Sequence, residues 1–301
     1  MNILERKKFY LSRWSNGKEL DERLMSFSEK FETWANQIPK KNLVTVFVLL
    51  DNLQYYSHST TNSCLKELHV KMLKEHDVTD DNTIYVYIKS KDGQTNSSND
   101  YWNEYKYINR INKHICFENM DAINEELWQY IQNIVFIDDF SGSGKSLTDE
   151  LEKHPKRYEN KNIFFVTICS MQISIDNIVR YCKEHDINYY PMTNEIHNKA
   201  FEQEYFENNQ IAKDEITDMS RCLKIPDEEI MGFKKTQSLV VFYNNTPNNT
   251  LGFIRYDTDT YKSIFPRSND PRPSWQTMNN RSIRRKNTNY KNKAVKKNGS
   301  V

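Results

Sequence analysis

The chain has 301 residues, a net charge of +1, 37% hydrophobic residues and 13% aromatic residues. This length allows one substantial α/β domain with additions, or two small domains, around a core supplied largely by Tyr and Phe. No window approaches the roughly 20 apolar residues of a membrane span, and the first residues lack the apolar core of a secretion signal. The composition therefore argues against a membrane protein and predicts a soluble protein of the cytoplasm.

The cysteines and histidines indicate neither disulfides nor a zinc site. The five cysteines are widely spaced and form no C-x-x-C pair, which predicts reduced thiols. The seven histidines show no H-E-x-x-H or other zinc-binding spacing. We therefore expect no metal ion caged by the protein, and we expect any Mg²⁺ to arrive with a phosphate ligand.

Residues 1–78 are predicted to form an N-terminal helical region. Apolar residues recur at alternating spacings of three and four from Leu20 to Ile38, which indicates one apolar stripe on a helix. The apolar run within 42–57 predicts a buried helix, because it is too long and too uniform for an average strand. Asn62 or Ser63 would cap the next helix.

Residues 79–267 are predicted to form an α/β core. Short β-branched runs alternate with helical patterns, which favours a mostly parallel twisted sheet with helices on both faces. The predicted strands are 83–88, 114–117, 134–137, 163–168, 187–190 and 238–242, and the predicted helices lie near 101–112 and at 122–132, 145–154 and 173–185. The charged segment 194–236 is predicted to be a helical insertion in this core.

Residues 268–301 are predicted to form a basic tail outside the fold. Its last part, residues 280–301, holds eight Lys or Arg residues and no acidic residue. A segment of this kind, rich in Asn and poor in apolar residues, is expected to be disordered alone. Two roles stay open: a solvated tail, or a contact with nucleic acid or another polyanion.

The most informative segment is IVFIDDFSGSGKSL, residues 134–147. It combines a buried strand, two adjacent carboxylates and a turn that alternates Ser and Gly before a helical pattern resumes. The glycines let several backbone N–H groups converge on one anion, and the hydroxyls of Ser143 and Ser146 add donors. The neighbouring acid pair, Asp138 and Asp139, indicates a ligand with vicinal hydroxyls or a bridging divalent cation.

The end of this segment also matches part of the NTPase P-loop. Gly144-Lys145-Ser146 fits the last positions of G-x-x-x-x-G-K-[ST]. The first glycine of that motif should stand where this chain has Asp139. The spacing therefore argues against an NTPase.

The run from Asp138 to Ser146 resembles, without gaps, the binding motif for 5-phosphoribosyl 1-pyrophosphate (PRPP) in type I phosphoribosyltransferases. The resemblance implies that fold, with Asp138 and Asp139 on the ribose hydroxyls and the turn on the 5′-phosphate. The turn residues that it implicates are Ser141, Gly142, Ser143, Gly144, Lys145 and Ser146. The chain departs from many purine-specific members at Gly142, where they carry a carboxylate that assists proton transfer to the base. Binding is therefore better supported than base activation.

A polar loop follows the predicted strand 83–88 and has Lys89 and Lys91 at its root. In type I phosphoribosyltransferases a mobile loop at a comparable place contacts pyrophosphate through basic residues. The resemblance thus makes Lys89 and Lys91 candidate catalytic residues that assist the leaving group. The alternative is an ordinary exposed loop with unpaired lysines.

The predicted strand 238–242 is followed by the segment YNNTPNNT. Its amides and hydroxyls make Asn245, Thr246, Asn248 and Asn249 candidate contacts for an acceptor or ligand. The alternative is a turn whose side chains cap their own backbone.

Four segments in order, LLDNLQYYS, IKSKDG, FIDDFSGSGKS and SLVVFYNNTPNNTL, resemble phosphoribosyltransferase-like effectors of bacterial conflict and antiphage systems, including retron-linked ones. This resemblance spans residues 40–267 and implies partner proteins from the same defence operon. Three functions remain open. The first is an enzyme that binds PRPP or a related ribose 5-phosphate ligand with Mg²⁺ and acts at ribose C1. The second is an inactive PRPP- or nucleotide-sensing module that docks on a partner protein or nucleic acid. The third is a nucleic-acid-associated toxin component.

Overall fold

The computed structural model describes residues 2–89 and 97–267. The strands in these ranges are β1 (Gln54–Tyr56), β2 (Thr83–Tyr87), β3 (Cys116–Phe117), β4 (Asn133–Ser141), β5 (Asn162–Met171), β6 (Asn188–His197) and β7 (Val240–Phe242). The α-helices are α1 (Ile3–Ser15), α2 (Glu22–Gln37), α3 (Leu43–Asp51), α4 (His58–Glu75), α5 (Ser97–Asn109), α6 (Glu125–Trp128), α7 (Lys145–Leu151), α8 (Gln172–Glu184), α9 (Asn209–Cys222), α10 (Asp227–Ile230) and α11 (Gly252–Arg255).

Five strands form one parallel sheet in the order β3, β2, β4, β5, β6. From β2 the chain first moves to β3 at one edge and then crosses to β4 on the other side of β2. This reversal makes a topological switch point between β2 and β4, where open α/β sheets bind ligands beyond the strand ends. The pairing of β4 with β2 ends at Ile137, whereas its pairing with β5 continues to Ser141. Asp138 and Asp139 therefore lie where β4 extends past its neighbour.

Alternate residues of β4 enter different cores, because successive side chains of a strand point to opposite faces. Val135 and Ile137 pack in the core that contains buried residues of α4 and α5. Ile134 and Phe136 pack in the core that contains buried residues of α7 and α8. Helices thus cover both faces of the sheet, which confirms the predicted α/β class and its parallel sheet.

The N-terminal helices begin at side-chain caps. The Glu5 N–H donates to Asn2 Oδ1 at 2.9 Å, and the Asn2 N–H donates to Glu5 Oε2 at 2.8 Å. Asp21 Oδ1 accepts from the N–H groups of Arg23 and Leu24 at the start of α2. Caps of this type contribute about 1 kcal/mol each. The predicted apolar stripe is the buried face of α2.

Residues 42–57, predicted as one buried helix, instead form α3 and then β1. The helix ends at Asp51, and β1 pairs in parallel with β7, with Tyr56 opposite Phe242. The sequence did not indicate this strand, because a short apolar run has no periodicity that distinguishes a helix from a strand. The expectation that residues 1–78 are all helical was therefore wrong.

Helices α1, α2 and α3 share a hydrophobic core with residues 200–265. Within it, Trp34 Nε1 donates to the Tyr261 hydroxyl at 2.7 Å, and that hydroxyl donates to the Phe253 carbonyl. Residues up to Arg267 form one compact unit. The predicted domain division at residue 78 stays a prediction.

Three further elements differ from the expected ones. Helix α4 is capped by Ser57, whose hydroxyl accepts from the Thr60 N–H, and therefore starts before Asn62 and Ser63. The segment expected as helix 122–132 contains only the short helix α6. Strand β6 continues beyond 187–190 to its end at His197, so the helical part of the insertion begins later than predicted. The second half of β6 is polar because this edge strand leaves alternate side chains exposed.

None of the helices in residues 2–89 and 97–267 has the length and apolar character needed to cross a membrane. The predicted basic tail lies outside these ranges, and so does Lys91.

Candidate functional site

A pocket of about 470 Å³ opens at the switch point, beyond the carboxyl ends of β2 and β4. The predicted site residues that line it are Lys89, Asp138, Asp139, Ser141, Gly142, Ser143, Gly144, Lys145, Ser146, Asn245, Asn248 and Asn249. Thr246 does not line it, and Lys91 lies outside the described residues. The pocket therefore brings together segments that are far apart in the sequence.

The turn between β4 and α7 is held against α8. Gly144 has a φ of +79°, and a Cβ at this position would lie 2.9 Å from both Ile178 Cγ1 and the Ser174 carbonyl oxygen. Only glycine fits this combination of backbone conformation and close packing. The Ser141 and Ser174 hydroxyls are 2.5 Å apart, and Asn177 Nδ2 donates to the Ser143 carbonyl at 3.1 Å. The turn is thus fixed in shape by contacts with α8.

The acid pair is buried at the base of the pocket. Asp138 and Asp139 are each 8% exposed. Asp138 Oδ1 accepts from the Asp139 N–H at 3.0 Å, and Asp139 Oδ1 accepts from the Phe140 N–H at 2.9 Å. Burial, followed by the adjacent Asp139 carboxylate, raises the pKa of Asp138 well above its ordinary value. Both causes favour the protonated form of Asp138 in the folded protein.

This raised pKa predicts a pH dependence of stability. The folded protein binds the Asp138 proton more tightly than the unfolded chain does, where an Asp pKa is about 3.9. The stability that the Asp138 proton contributes is therefore fully present below that value, and it is lost as the pH rises through the folded-state pKa of Asp138. We expect the melting temperature of the ligand-free protein to fall as the pH rises above about 3.9, and to fall less in Asp138→Asn. Equal slopes in thermal unfolding of the two proteins would contradict this assignment.

Lysines line the rim of the pocket beside carboxylates. Lys145 Nζ is 2.6 Å from Asp149 Oδ1, one helical turn further along α7. Lys89 Nζ is 3.8 Å from Glu118 Oε2, and its side chain is 33% exposed. Ion pairs exposed to solvent are weak, usually below about 1 kcal/mol, so an incoming anion can compete for these ammonium groups.

Arg267 also lines the pocket, although no sequence pattern pointed to it. Its Nη1 donates to the Thr246 carbonyl at 2.9 Å, and it forms no ion pair with any carboxylate of the described residues. Burial lowers the pKa of this guanidinium and Arg255 lowers it further, whereas Asp139 favours its charged form. A partly desolvated guanidinium suits a phosphate group, to which it can donate two hydrogen bonds.

The segment after β7 contains both structural and pocket-lining residues. The Thr246 hydroxyl is fully buried, donates to the Phe265 carbonyl at 2.8 Å and accepts from Arg23 Nη2 at 2.5 Å. Asn245 Oδ1 accepts from the Thr246 N–H at 2.8 Å, which is the capping role given as the alternative. Thr246 therefore stabilises the fold away from the pocket, while Asn245, Asn248 and Asn249 remain at its wall.

Asn249 fills the space beside Gly142. A Cβ on Gly142 would lie 2.3 Å from Asn249 Cγ, and the two next nearest atoms are the oxygen and nitrogen of the same carboxamide. No side chain larger than hydrogen fits at position 142 while Asn249 stays in place. Position 142 therefore lacks the carboxylate discussed above, and a neutral amide from another loop occupies the space beside it. No local sequence pattern could reveal this contact.

Comparison with known proteins identifies the family. None of the curated proteins matches the chain. Among solved structures, it is similar to Helicobacter pylori xanthine-guanine-hypoxanthine phosphoribosyltransferase, with 12% sequence identity, a TM-score of 0.31, and coverage of 48% of this chain and 88% of that one. The family model PRTase-CE matches residues 31–267, which confirms the phosphoribosyltransferase-like character predicted from the motif. Since this match covers most of its length, the chain belongs to the PRTase-CE family.

Proposed function

We propose that the pocket binds PRPP or a related ribose 5-phosphate donor with Mg²⁺ and catalyses group transfer at ribose C1. The observation that carries this proposal is the placement of the acid pair and the Ser/Gly turn in one pocket at the switch point. An anion-binding turn beside two buried carboxylates suits a ligand with a phosphate at one end and vicinal hydroxyls at the other.

The pocket residues divide into two binding roles. Asp138 and Asp139 would accept hydrogen bonds from the ribose 2′ and 3′ hydroxyls. The turn would bind the 5′-phosphate through its backbone N–H groups and the hydroxyls of Ser143 and Ser146. The contacts of the turn with α8 would reduce the ordering cost of phosphate binding.

In the transfer step, the bond from C1 to the pyrophosphate oxygen breaks, and pyrophosphate leaves with the electron pair. The acceptor forms the new bond to C1 with a lone pair and then releases its proton to solvent. The charge of Asp139, together with that of Asp138 when it is ionised, would stabilise the cationic sugar, and Lys89, Lys91 and Arg267 would stabilise the departing pyrophosphate.

The donor set near the pocket fits a Mg²⁺ that is carried by the ligand. Among the described residues, no group of three or more His, Cys, Asp or Glu side chains could hold a metal ion. Mg²⁺ keeps waters and is commonly bound through one or two carboxylates plus substrate phosphates. Asp138 and Asp139 would supply the protein carboxylates, and the bound ion would neutralise the pyrophosphate.

Arg267→Gln is expected to weaken PRPP binding by about tenfold, because a charge-assisted hydrogen bond contributes about 1.5 to 3 kcal/mol. Binding of ribose 5-phosphate, which lacks the pyrophosphate, should change less. Calorimetric titration with Mg²⁺ present measures both, and the exposed Arg221→Gln is the matched control. If neither PRPP nor ribose 5-phosphate binds the unaltered protein, the proposed function is wrong.

A ligand-sensing module is the second candidate, and the pairing of Gly142 with Asn249 favours it. This wall of the pocket offers a neutral amide in place of a carboxylate, so it provides no proton acceptor for a nucleobase. A sensor would bind PRPP without consuming it. Mass analysis after incubation with PRPP or nucleotides separates the two, since only an enzyme releases pyrophosphate or free base.

We also propose that the protein acts in the cytoplasm as an effector of a bacterial defence system, with partner proteins from the same operon. Membership of PRTase-CE and the resemblance to antiphage effectors support this role. Phage plating on cells that carry the intact operon or an Asp138→Ala/Asp139→Ala version tests it, and equal plating would contradict it. The proposed contact of residues 280–301 with nucleic acid predicts salt-dependent binding that is lost on their deletion.

A further inference from the structure

Arg23, in the first turn of α2, donates hydrogen bonds to three separate segments of the chain. Its Nη1 donates to the Phe242 carbonyl at 3.1 Å, at the end of β7. Its Nη2 donates to the Thr246 hydroxyl at 2.5 Å and to the Pro266 carbonyl at 2.6 Å. Burial lowers the pKa of this guanidinium to about 10, which leaves it charged at neutral pH. A charged donor on α2 thus joins the end of β7 to two segments further along the chain.

Two of these hydrogen bonds act on the supports of Arg267, which lines the pocket. Arg267 Nη1 donates to the Thr246 carbonyl at 2.9 Å, and the Pro266 carbonyl belongs to the peptide bond directly before Arg267. The Arg267 N–H donates to the Arg255 carbonyl at 3.0 Å. Arg23 therefore holds both the residue that orients the Arg267 guanidinium and the backbone from which that side chain starts.

A guanidinium suits the position of Arg23, because its N–H groups lie in one plane and reach several acceptors at once. A lysine ammonium is a compact point charge and cannot donate from two separate nitrogen atoms. Arg23 lies before residue 31, where the match to the family model begins, whereas Arg267 is the last matched residue. This support of Arg267 therefore comes from outside the residues that the family model matches.

We propose that Arg23 is a positioning residue, which holds Thr246 and Pro266 so that the Arg267 guanidinium faces the pyrophosphate of PRPP. This inference rests on the proposed PRPP site, in which Arg267 stabilises the pyrophosphate. Arg23 itself does not line the pocket, so its effect on the ligand passes through Arg267. Loss of Arg23 therefore affects PRPP more than ribose 5-phosphate, which has no pyrophosphate.

The test uses Arg23→Lys, which keeps the positive charge but removes the branched donor. Calorimetry on the full chain with Mg²⁺ should show about fivefold weaker binding of PRPP and a smaller change for ribose 5-phosphate. In an Arg267→Gln background, Arg23→Lys should weaken PRPP little further, because the positioned group is already gone. Arg6→Lys is the matched control, since Arg6 pairs with Asp51 and does not line the pocket. It should leave both affinities unchanged.

Thr246→Val tests the same link without altering an arginine. It removes the hydroxyl that accepts from Arg23 but keeps the carbonyl that accepts from Arg267. It should also weaken PRPP more than ribose 5-phosphate, and it decides the question if Arg23→Lys does not fold. Thermal unfolding of each variant measures its loss of stability separately.

Two results would show that Arg23 only supports the fold. One is an equal loss of affinity for PRPP and ribose 5-phosphate, and the other is additivity of Arg23→Lys and Arg267→Gln in PRPP binding. Either result overturns the positioning role, while binding of PRPP to the unaltered protein leaves the proposed function standing. If neither ligand binds the unaltered protein, both are overturned.

Discussion

Replacing Asp138 by Asn is expected to raise the melting temperature of the ligand-free protein at about pH 8 and to weaken PRPP binding by about 10- to 100-fold. The side chain is buried beside Asp139, and both burial and the neighbouring charge oppose its ionisation. Asn has the same size and no charge, so it relieves the repulsion in the folded state. It also replaces an acceptor oxygen by an N–H₂ group, which cannot accept from a ribose hydroxyl.

Thermal unfolding and calorimetric titration of the same samples measure these opposite effects. The stability gain should be about 0.5 to 2 kcal/mol, the range usual for one stabilising substitution. Asp227→Asn is the control, because it removes one carboxylate from an exposed ion pair with Arg221 that does not line the pocket. It should leave PRPP binding unchanged. A variant at Asp138 that is less stable yet binds PRPP normally would show that the pair supports the fold and not the ligand.

Replacing Gly142 by Ala is expected to lower the free energy of unfolding by about 1 to 3 kcal/mol and to disturb the pocket. The added Cβ would lie 2.3 Å from Asn249 Cγ, a distance shorter than van der Waals contact permits. The two next nearest atoms, Nδ2 and Oδ1, belong to the same carboxamide. Asn249→Ala removes all of them and should make Gly142→Ala much less costly.

A double-mutant cycle in urea tests this reciprocal relation. We expect a coupling free energy of about 1 kcal/mol or more between positions 142 and 249, as is found for residues in direct contact. Gly17→Ala is the control, because Gly17 has a φ of +71° and open space around the missing Cβ. It should cost about 1 to 2 kcal/mol from backbone strain alone, with or without Asn249. Additive effects at 142 and 249 would mean that the two loops are not in contact in solution.

The sequence was most informative where local patterns determine structure. The apolar, β-branched run 134–137 predicted the central strand, and the following Ser/Gly run predicted the turn that lines the pocket. Both follow from short-range chemistry, namely burial of a parallel strand and the conformational freedom of glycine. The stripe from Leu20 to Ile38 likewise predicted α2, because an amphipathic helix carries a clear period.

The remaining features depend on partners distant in the sequence. The strand β1 needs β7, which lies 186 residues further along the chain, and its own residues carry no distinguishing period. Arg267 is oriented by the Thr246 carbonyl, and Asn249 by Thr236 and the Phe233 carbonyl. Backbone carbonyls have no residue-type signature, so the sequence could not show which side chains they would orient.

The pairing of β1 with β7 sets an order for biosynthesis. The segment containing Tyr56 leaves the ribosome well before its strand partner around Phe242, which follows 186 residues later in the sequence. Contacts of such sequence separation form late, and until then the apolar faces of α1 and α2 lack their partners from residues 200–265. Asn249 and Arg267 belong to the same late segment. A chain that stops before these residues has the Ser/Gly turn but an incomplete pocket.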